Sequence, residues 1–213
     1  ECGYVDEVLP QDDMDCFESM ISEGYSGFNH TEFGWVGGLI SLCPDGGYWL
    51  MNECDGLEFQ FVEPTSLARE QIHTPSPYPY SQSTQQAFYY IESVENIRIG
   101  DFIVAYHGDK VIGAREWTGG IIDVPAMGND GTEFTQGYIK AGSVPTFKVL
   151  SGNKLTNLEG DIPAWSNNQI YMLEGLTGTV LLPESFSLDK AYPNPFNPVT
   201  TLSFKLPEDI NVI

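Results

Sequence analysis

Apolar and polar positions alternate in short runs along much of this chain, and glycine, proline or acidic turn residues punctuate them. In FGWVGGLISLCPDGGYWLMNECDGLEFQF the alternation is broken at PDGG and ECDG, both hairpin-type turns. This stretch predicts about three or four short strands. Just upstream, DDMDCFESMISEGY sets Met14, Phe17, Met20 and Ile21 at helical spacing, with Asp12 or Asp13 as the cap. One short helix is expected there. Farther on, QQAFYYIESV, NIRIGDFIVAYHGDKVIGAREW, PTFKVLSGNK and QIYMLEGLTGTVLLP are strand-like runs split by GD and HGDK turns. Their spacing predicts a β-sandwich of roughly seven to nine strands. The fold class expected is all-β.

These patterns divide the chain into four parts. Residues 1–63 form an acidic, cysteine-containing, β-rich module. Residues 64–80 are a linker whose PSPYPY run favours extended polyproline-type backbone, a rigid spacer between two β units. Residues 81–182 carry the β-sandwich. Residues 183–213 begin with the stiff AYPNPFNPVT stretch, in which the prolines rule out helix. After it, TTLSFKLP alternates Leu202, Phe204 and Leu206 on one face, and INVI, with Ile210 and Val212, starts another strand.

Composition narrows the class. Hydrophobic residues make up 41% of the 213, enough for a packed core. The net charge is −21, from 30 acidic and 9 basic side chains, and residues 1–63 hold fourteen carboxylates before the first base at Arg69. Such a field repels phosphate backbones, which excludes nucleic acid as a partner and suits a soluble extracellular protein. No apolar run reaches about 18 residues, so no transmembrane segment is expected. The chain opens at Glu1 without an initiator Met or signal peptide, as a processed secreted protein does. Cys2, Cys16, Cys43 and Cys54 all fall in the first module, at spacings unlike a paired metal site. Two disulfides are expected, and short loops favour Cys2–Cys16 with Cys43–Cys54, although three pairings are open.

The stretch YPNPFNPVTTLSFKLPEDINVI resembles the start of the type A C-terminal sorting domain of type IX (Por) secretion cargo. Tyr192 to Pro207 carries the likeness. The resemblance implies a small immunoglobulin-like sandwich, export across the outer membrane, and an extracellular or bacterial cell-surface location. Family members continue for several strands beyond the LP motif, so an immunoglobulin-like segment ending at Ile213 would be incomplete, with open strand edges, and either further residues follow or another chain supplies the missing strands. GWVGGLISLCPDGGYWL, GDFIVAYHGDKVIGA and GNDGTEFTQGYIKAGSVPTFKVL likewise resemble β modules that recur in secreted proteins with this tail. None of them brings a catalytic residue.

Catalytic motifs are missing from the sequence: there is no GxSxG, HExxH or P-loop, and the histidines, His30, His73 and His107, are scattered. No enzyme activity is expected. Calcium is the one candidate cofactor. GNDGTE offers Asn129, Asp130, Thr132 and Glu133, with Asp123 upstream, as oxygen ligands on a glycine-permitted turn. The competing expectation is a self-bonded Asx turn. For glycans, WSNNQ offers Trp165, Asn167 and Asn168, a stacking ring beside amides, against the alternative that the tryptophan is core. Asn29-His30-Thr31 is a glycosylation sequon.

The open-edged tail points to self-association. Leu202, Phe204, Leu206, Ile210 and Val212 form an assembly strand that would complete a neighbour's sheet, head to tail, giving a homopolymeric filament. The function expected is therefore a non-enzymatic secreted or cell-surface structural or adhesive protein. A glycan-binding module of a larger secreted protein is the alternative.

Overall fold

The computed structural model describes residues 2–66, 68, 77–95, 97–151, 154–180, 187–188 and 204–205. Residues 1–179 form one compact unit and Val180–Ile213 a second. The protein is all-β, and among the described residues the exceptions are a single-turn α-helix and two 3-10 turns.

The chain starts with β1 (Gly3–Tyr4) and α1 (Val5–Val8), then a 3-10 turn over Gln11–Cys16. Next come β2 (Phe17–Ser22), β3 (Tyr25–His30), β4 (Gly34–Gly37), β5 (Ser41–Leu42) and β6 (Trp49–Asn52). Four of these make an antiparallel sheet in the order β4-β3-β2-β6, while β1 pairs with β5. The helix expected from Met14 to Ile21 is corrected: only the turn before Phe17 is helical, and Phe17–Ser22 is a strand. Its apolar residues are needed on both faces. Phe17 and Met20 enter one core, and Ile21 packs with Phe88 and Tyr90 in another. A strand covered on both sides loses strict alternation, and its pattern then passes for a helix.

The pairing expected for the cysteines is also corrected. The bonds are Cys2–Cys43 and Cys16–Cys54. Sheet pairing explains this: Gly3 lies opposite Leu42, bringing Cys2 to Cys43, and Phe17 lies opposite Asn52 with Glu53 N donating to the Cys16 carbonyl, which brings Cys16 beside the next residue, Cys54.

The central segment adds β7 (Gln86–Ile91), β8 (Phe102–His107), β9 (Lys110–Glu116), β10 (Ile122–Met127), β11 (Thr146–Ser151), β12 (Lys154–Glu159), β13 (Ile170–Leu173) and β14 (Thr177–Val180). They form a five-stranded sheet, β14-β12-β11-β8-β9, and a three-stranded sheet, β10-β7-β13, in which β13 runs parallel to β7. Between them lies the largest core, with Tyr89, Ile91, Val124, Phe147 and Trp165 among its members.

All six residues of β7 are buried, and so are all six of β10. With a side-chain period of two, Ala87, Tyr89 and Ile91 point into the sandwich while Phe88 and Tyr90 point away from it. That outer face meets Ile21, Phe28 and Val36 of the N-terminal sheet. The three-stranded sheet is thus the middle of three layers, which explains why QAFYYI is apolar throughout.

In the second unit, β15 (Ser187–Leu188) pairs antiparallel with β16 (Phe204–Lys205), and Leu188 lies opposite Phe204. The AYPNPFNPVT stretch lies outside the described residues, as do Leu202, Leu206, Ile210 and Val212.

Candidate functional site

The most developed polar arrangement sits where the N-terminal sheet meets the middle sheet. On β10, Ile122 and Val124 face the sandwich core, so Asp123 between them presents its carboxylate on the opposite face, toward β3. Its Oδ2 accepts hydrogen bonds from Ser26 N (3.0 Å) and Ser26 Oγ (3.2 Å), and Arg115 Nη2 lies 3.1 Å away. Arg115 reaches in from β9. It also donates through Nε to the Asp123 carbonyl (2.8 Å) and through Nη2 to the Gly24 carbonyl (3.0 Å), and its guanidinium lies 4.8 Å from the centre of the Tyr25 ring. The Tyr90 hydroxyl shares a hydrogen bond with Ser26 Oγ at 2.9 Å.

Burial pushes the Asp123 carboxyl above the ordinary aspartate range, with Arg115 and the Ser26 donors opposing it. Burial, then the Asp123 charge, pushes the Tyr90 phenol well up. Beside this network Gln86 bridges the layers as well, accepting from Gly24 N (3.1 Å) and donating to the Ser22 carbonyl (2.9 Å). These contacts fix the orientation of the N-terminal sheet. Their donors and acceptors are matched to one another, as a joint requires.

The candidate calcium ligands are not brought together. Asp123 belongs to the buried joint, away from the loop. In the loop, Asn129 Oδ1 accepts from Gly131 N (2.9 Å), and Asp130 Oδ1 accepts from Thr132 N (3.1 Å), Thr132 Oγ1 (2.8 Å) and Thr135 Oγ1 (2.6 Å). Asp130 Oδ2 accepts from Thr84 N at 3.3 Å. These bonds, the one from Thr135 foremost, hold the Asp130 carboxyl well below the usual range. Glu133 is exposed at the start of a 3-10 turn. Among the described residues no group of three or more His, Cys, Asp or Glu is placed to hold a metal ion. The loop is a self-bonded Asx turn.

The glycan candidate at Trp165 is corrected on burial. Trp165 is 1% exposed, and its Nε1 donates to the Ala126 carbonyl at 2.9 Å. No ring face is left for a sugar. Asn167 Oδ1 accepts from Gln86 N (2.9 Å), Asn168 N donates to the Gln86 carbonyl (2.7 Å), and Asn168 takes a positive φ of 56°. WSNNQ is therefore a turn that locks onto the start of β7.

At the sequon, Asn29 Nδ2 donates to the carbonyls of Met14 and Phe17, both at 3.1 Å. The nitrogen that would carry a glycan is committed to the main chain. His107 Nδ1 lies 3.0 Å from the Gly137 carbonyl, and His30 Nδ1 accepts from Glu32 N at 3.1 Å. Both bond main-chain groups; His73 lies outside the described residues.

Residues that the sequence pattern did not single out define a cleft of about 460 Å³ beside the joint. It is lined by Glu23, Tyr25, Ser41, Asp45, Tyr48 and Gln82, together with neighbouring residues of the same turns. The only early sign was the GWVGGLISLCPDGGYWL stretch itself, which supplies much of the wall. Comparison with protein-family models, curated proteins and solved structures gave no match to this chain.

Proposed function

We propose that this chain is a non-enzymatic structural or adhesive protein of the cell surface or extracellular space, carried there by type IX secretion. The tail that resembles the sorting domain is the observation that carries this: YPNPFNPVTTLSFKLP falls within the second unit, Val180–Ile213.

Two further features support it. Both described cystines join residues about forty positions apart, at separations of 41 and 38, and such bonds persist in oxidising compartments. The strong negative charge keeps an exported protein soluble. No helix among the described residues is long and apolar enough to cross a membrane.

Filament assembly by strand complementation is the more specific form of the proposal. Within the chain, Phe204–Lys205 already pairs with Ser187–Leu188. Complementation therefore requires that this ladder be exchanged for the same ladder between subunits, as in a domain swap. Sedimentation and electron microscopy of native material test it. Open-ended polymers are expected, and a monomer at micromolar concentration overturns assembly while leaving secretion standing.

A further inference from the structure

The chain holds three Asp-Gly pairs, Asp45-Gly46, Asp55-Gly56 and Asp130-Gly131, and the fold leaves them in different states. Such a pair has a reaction of its own, because a glycine carries no side chain to hinder its nitrogen near the preceding carboxyl. When that nitrogen attacks the aspartate Cγ, a carbon–nitrogen bond forms and a carboxyl oxygen leaves as water, closing an imide ring. Water then reopens the ring on one side or the other. Breaking the bond from nitrogen to Cγ restores aspartate. Breaking the bond from nitrogen to the main-chain carbonyl carbon leaves isoaspartate, in which the chain runs through Cγ. One water leaves and one returns, so no other reactant is needed.

Two freedoms are required. The glycine N–H must be able to turn onto the side chain, and the carboxyl must be able to take the proton that lets its oxygen leave. Asp130-Gly131 has neither. Gly131 N donates to Asn129 Oδ1 at 2.9 Å, and Asp130 Oδ1 accepts from Thr132 N, Thr132 Oγ1 and Thr135 Oγ1. Those donors fix the side chain and favour its charged form, holding the carboxyl well below the usual range. Asp45-Gly46 lacks the first freedom. Gly46 N donates to the Cys43 carbonyl at 3.0 Å, and the Tyr48 ring and hydroxyl crowd the Gly46 Cα so closely that a Cβ there would collide with them. Breaking such a bond to free the nitrogen costs energy before any chemistry starts.

Asp55-Gly56 carries neither restraint. Both residues are exposed, and among the described residues no hydrogen bond holds the Asp55 carboxylate or the Gly56 N–H. A Cβ on Gly56 would meet nothing within 4 Å, so there is open space for a ring to close.

We infer that Asp55 is a site of spontaneous isoaspartate formation, and that the fold suppresses the same reaction at Asp45 and Asp130. The position gives the change a structural consequence. The extra main-chain carbon enters directly after Cys54, which is bonded to Cys16, and just before Leu57 and Phe59, which pack on the N-terminal core. The Phe59 ring lies 4.9 Å from that of Phe17. With the upstream side pinned by the cystine, the added length falls on the segment that carries these two side chains. This chemistry does not depend on the route of secretion.

The test is incubation of the intact chain in heavy-oxygen water at neutral pH and physiological temperature, followed by peptide mapping. Each ring opening leaves one heavy oxygen, and fragmentation across the residue distinguishes isoaspartate from aspartate. In the folded chain, label and isoaspartate should accumulate at Asp55 several-fold faster than at Asp45 or Asp130. In denaturant, where the hydrogen bonds are gone, the three sites should label at similar rates. Asp55→Glu keeps the charge but would need a larger ring, and its peptide should lose the label; the residue is exposed, so the variant keeps the fold. The inference is overturned if Asp55 stays unlabelled, if Asp45 or Asp130 labels as fast as Asp55 in the folded chain, or if Asp55 leads equally in denaturant.

Discussion

At the scale of residues, Asp123 and Arg115 carry the largest electrostatic stake. The Asp123 side chain is 2% exposed and that of Arg115 is 17% exposed, so their ion pair is largely removed from water. Deleting one member leaves the other buried and uncompensated. Arg115→Ala should cost about 3–5 kcal/mol at neutral pH in chemical denaturation, and Arg115→Met with Asp123→Leu should recover part of that loss. The pH dependence has a fixed sign. Burial already raises the Asp123 carboxyl, so the folded protein binds this proton more tightly than the unfolded chain does. Protonation removes the unpaired charge, and the Arg115→Ala penalty should shrink as pH falls through the raised value. Asp130 has the opposite sign. Its carboxyl is held well below the unfolded value by Thr135 and Thr132, so its contribution is present above the ordinary aspartate range and fades as pH drops toward the folded value. Thermal melts across acid pH should show a smaller acid loss for Asp130→Asn than for the parent.

At the scale of elements, disulfide register and strand contact decide what holds. A peptide map without reduction should recover Cys2 linked to Cys43 and Cys16 linked to Cys54. Replacing Cys16 and Cys54 together by Ser should cost about 2–5 kcal/mol, because the bond spans 38 residues of chain. On β9, a Cβ at Gly113 would collide with the Pro125 carbonyl of β10, where the outer and middle sheets meet. Gly113→Ala should therefore destabilise by about 1–3 kcal/mol, read as a lower denaturation midpoint. These same elements show what sequence can and cannot convey. Strands with clear turn punctuation, such as FIVAYHGDKVIGA, were legible because the turn chemistry is local. Phe17–Ser22 was not, because Phe17 and Met20 enter one core across a register shift and Ile21 enters another, so its apolar positions do not alternate. The cysteine pairing was hidden for a related reason: it follows from which strands become neighbours, a non-local outcome. The cleft was hidden too, since Glu23, Tyr48 and Gln82 line it from three segments far apart in the sequence.

At the scale of the molecule, the three stacked sheets of residues 1–179 make a body whose described titratable clusters are joints and turns. Asp123, Asp130 and Trp165 each have chemistry that attracts a functional interpretation, and each is committed to internal hydrogen bonds. The proposed export rests on the tail that resembles a sorting signal. On the proposed reading the protein is exported and held outside the cell, with two cystines adding to the stability of its core. Export is the central claim, and fractionation of the source cells tests it most directly, comparing cells with an intact and a disabled type IX translocon. The chain should be found in the medium or exposed to protease on the surface, with both cystines oxidised, and should be retained inside when the translocon is disabled. Recovery from the cytoplasm with four free thiols, or export that does not depend on the translocon, would contradict it.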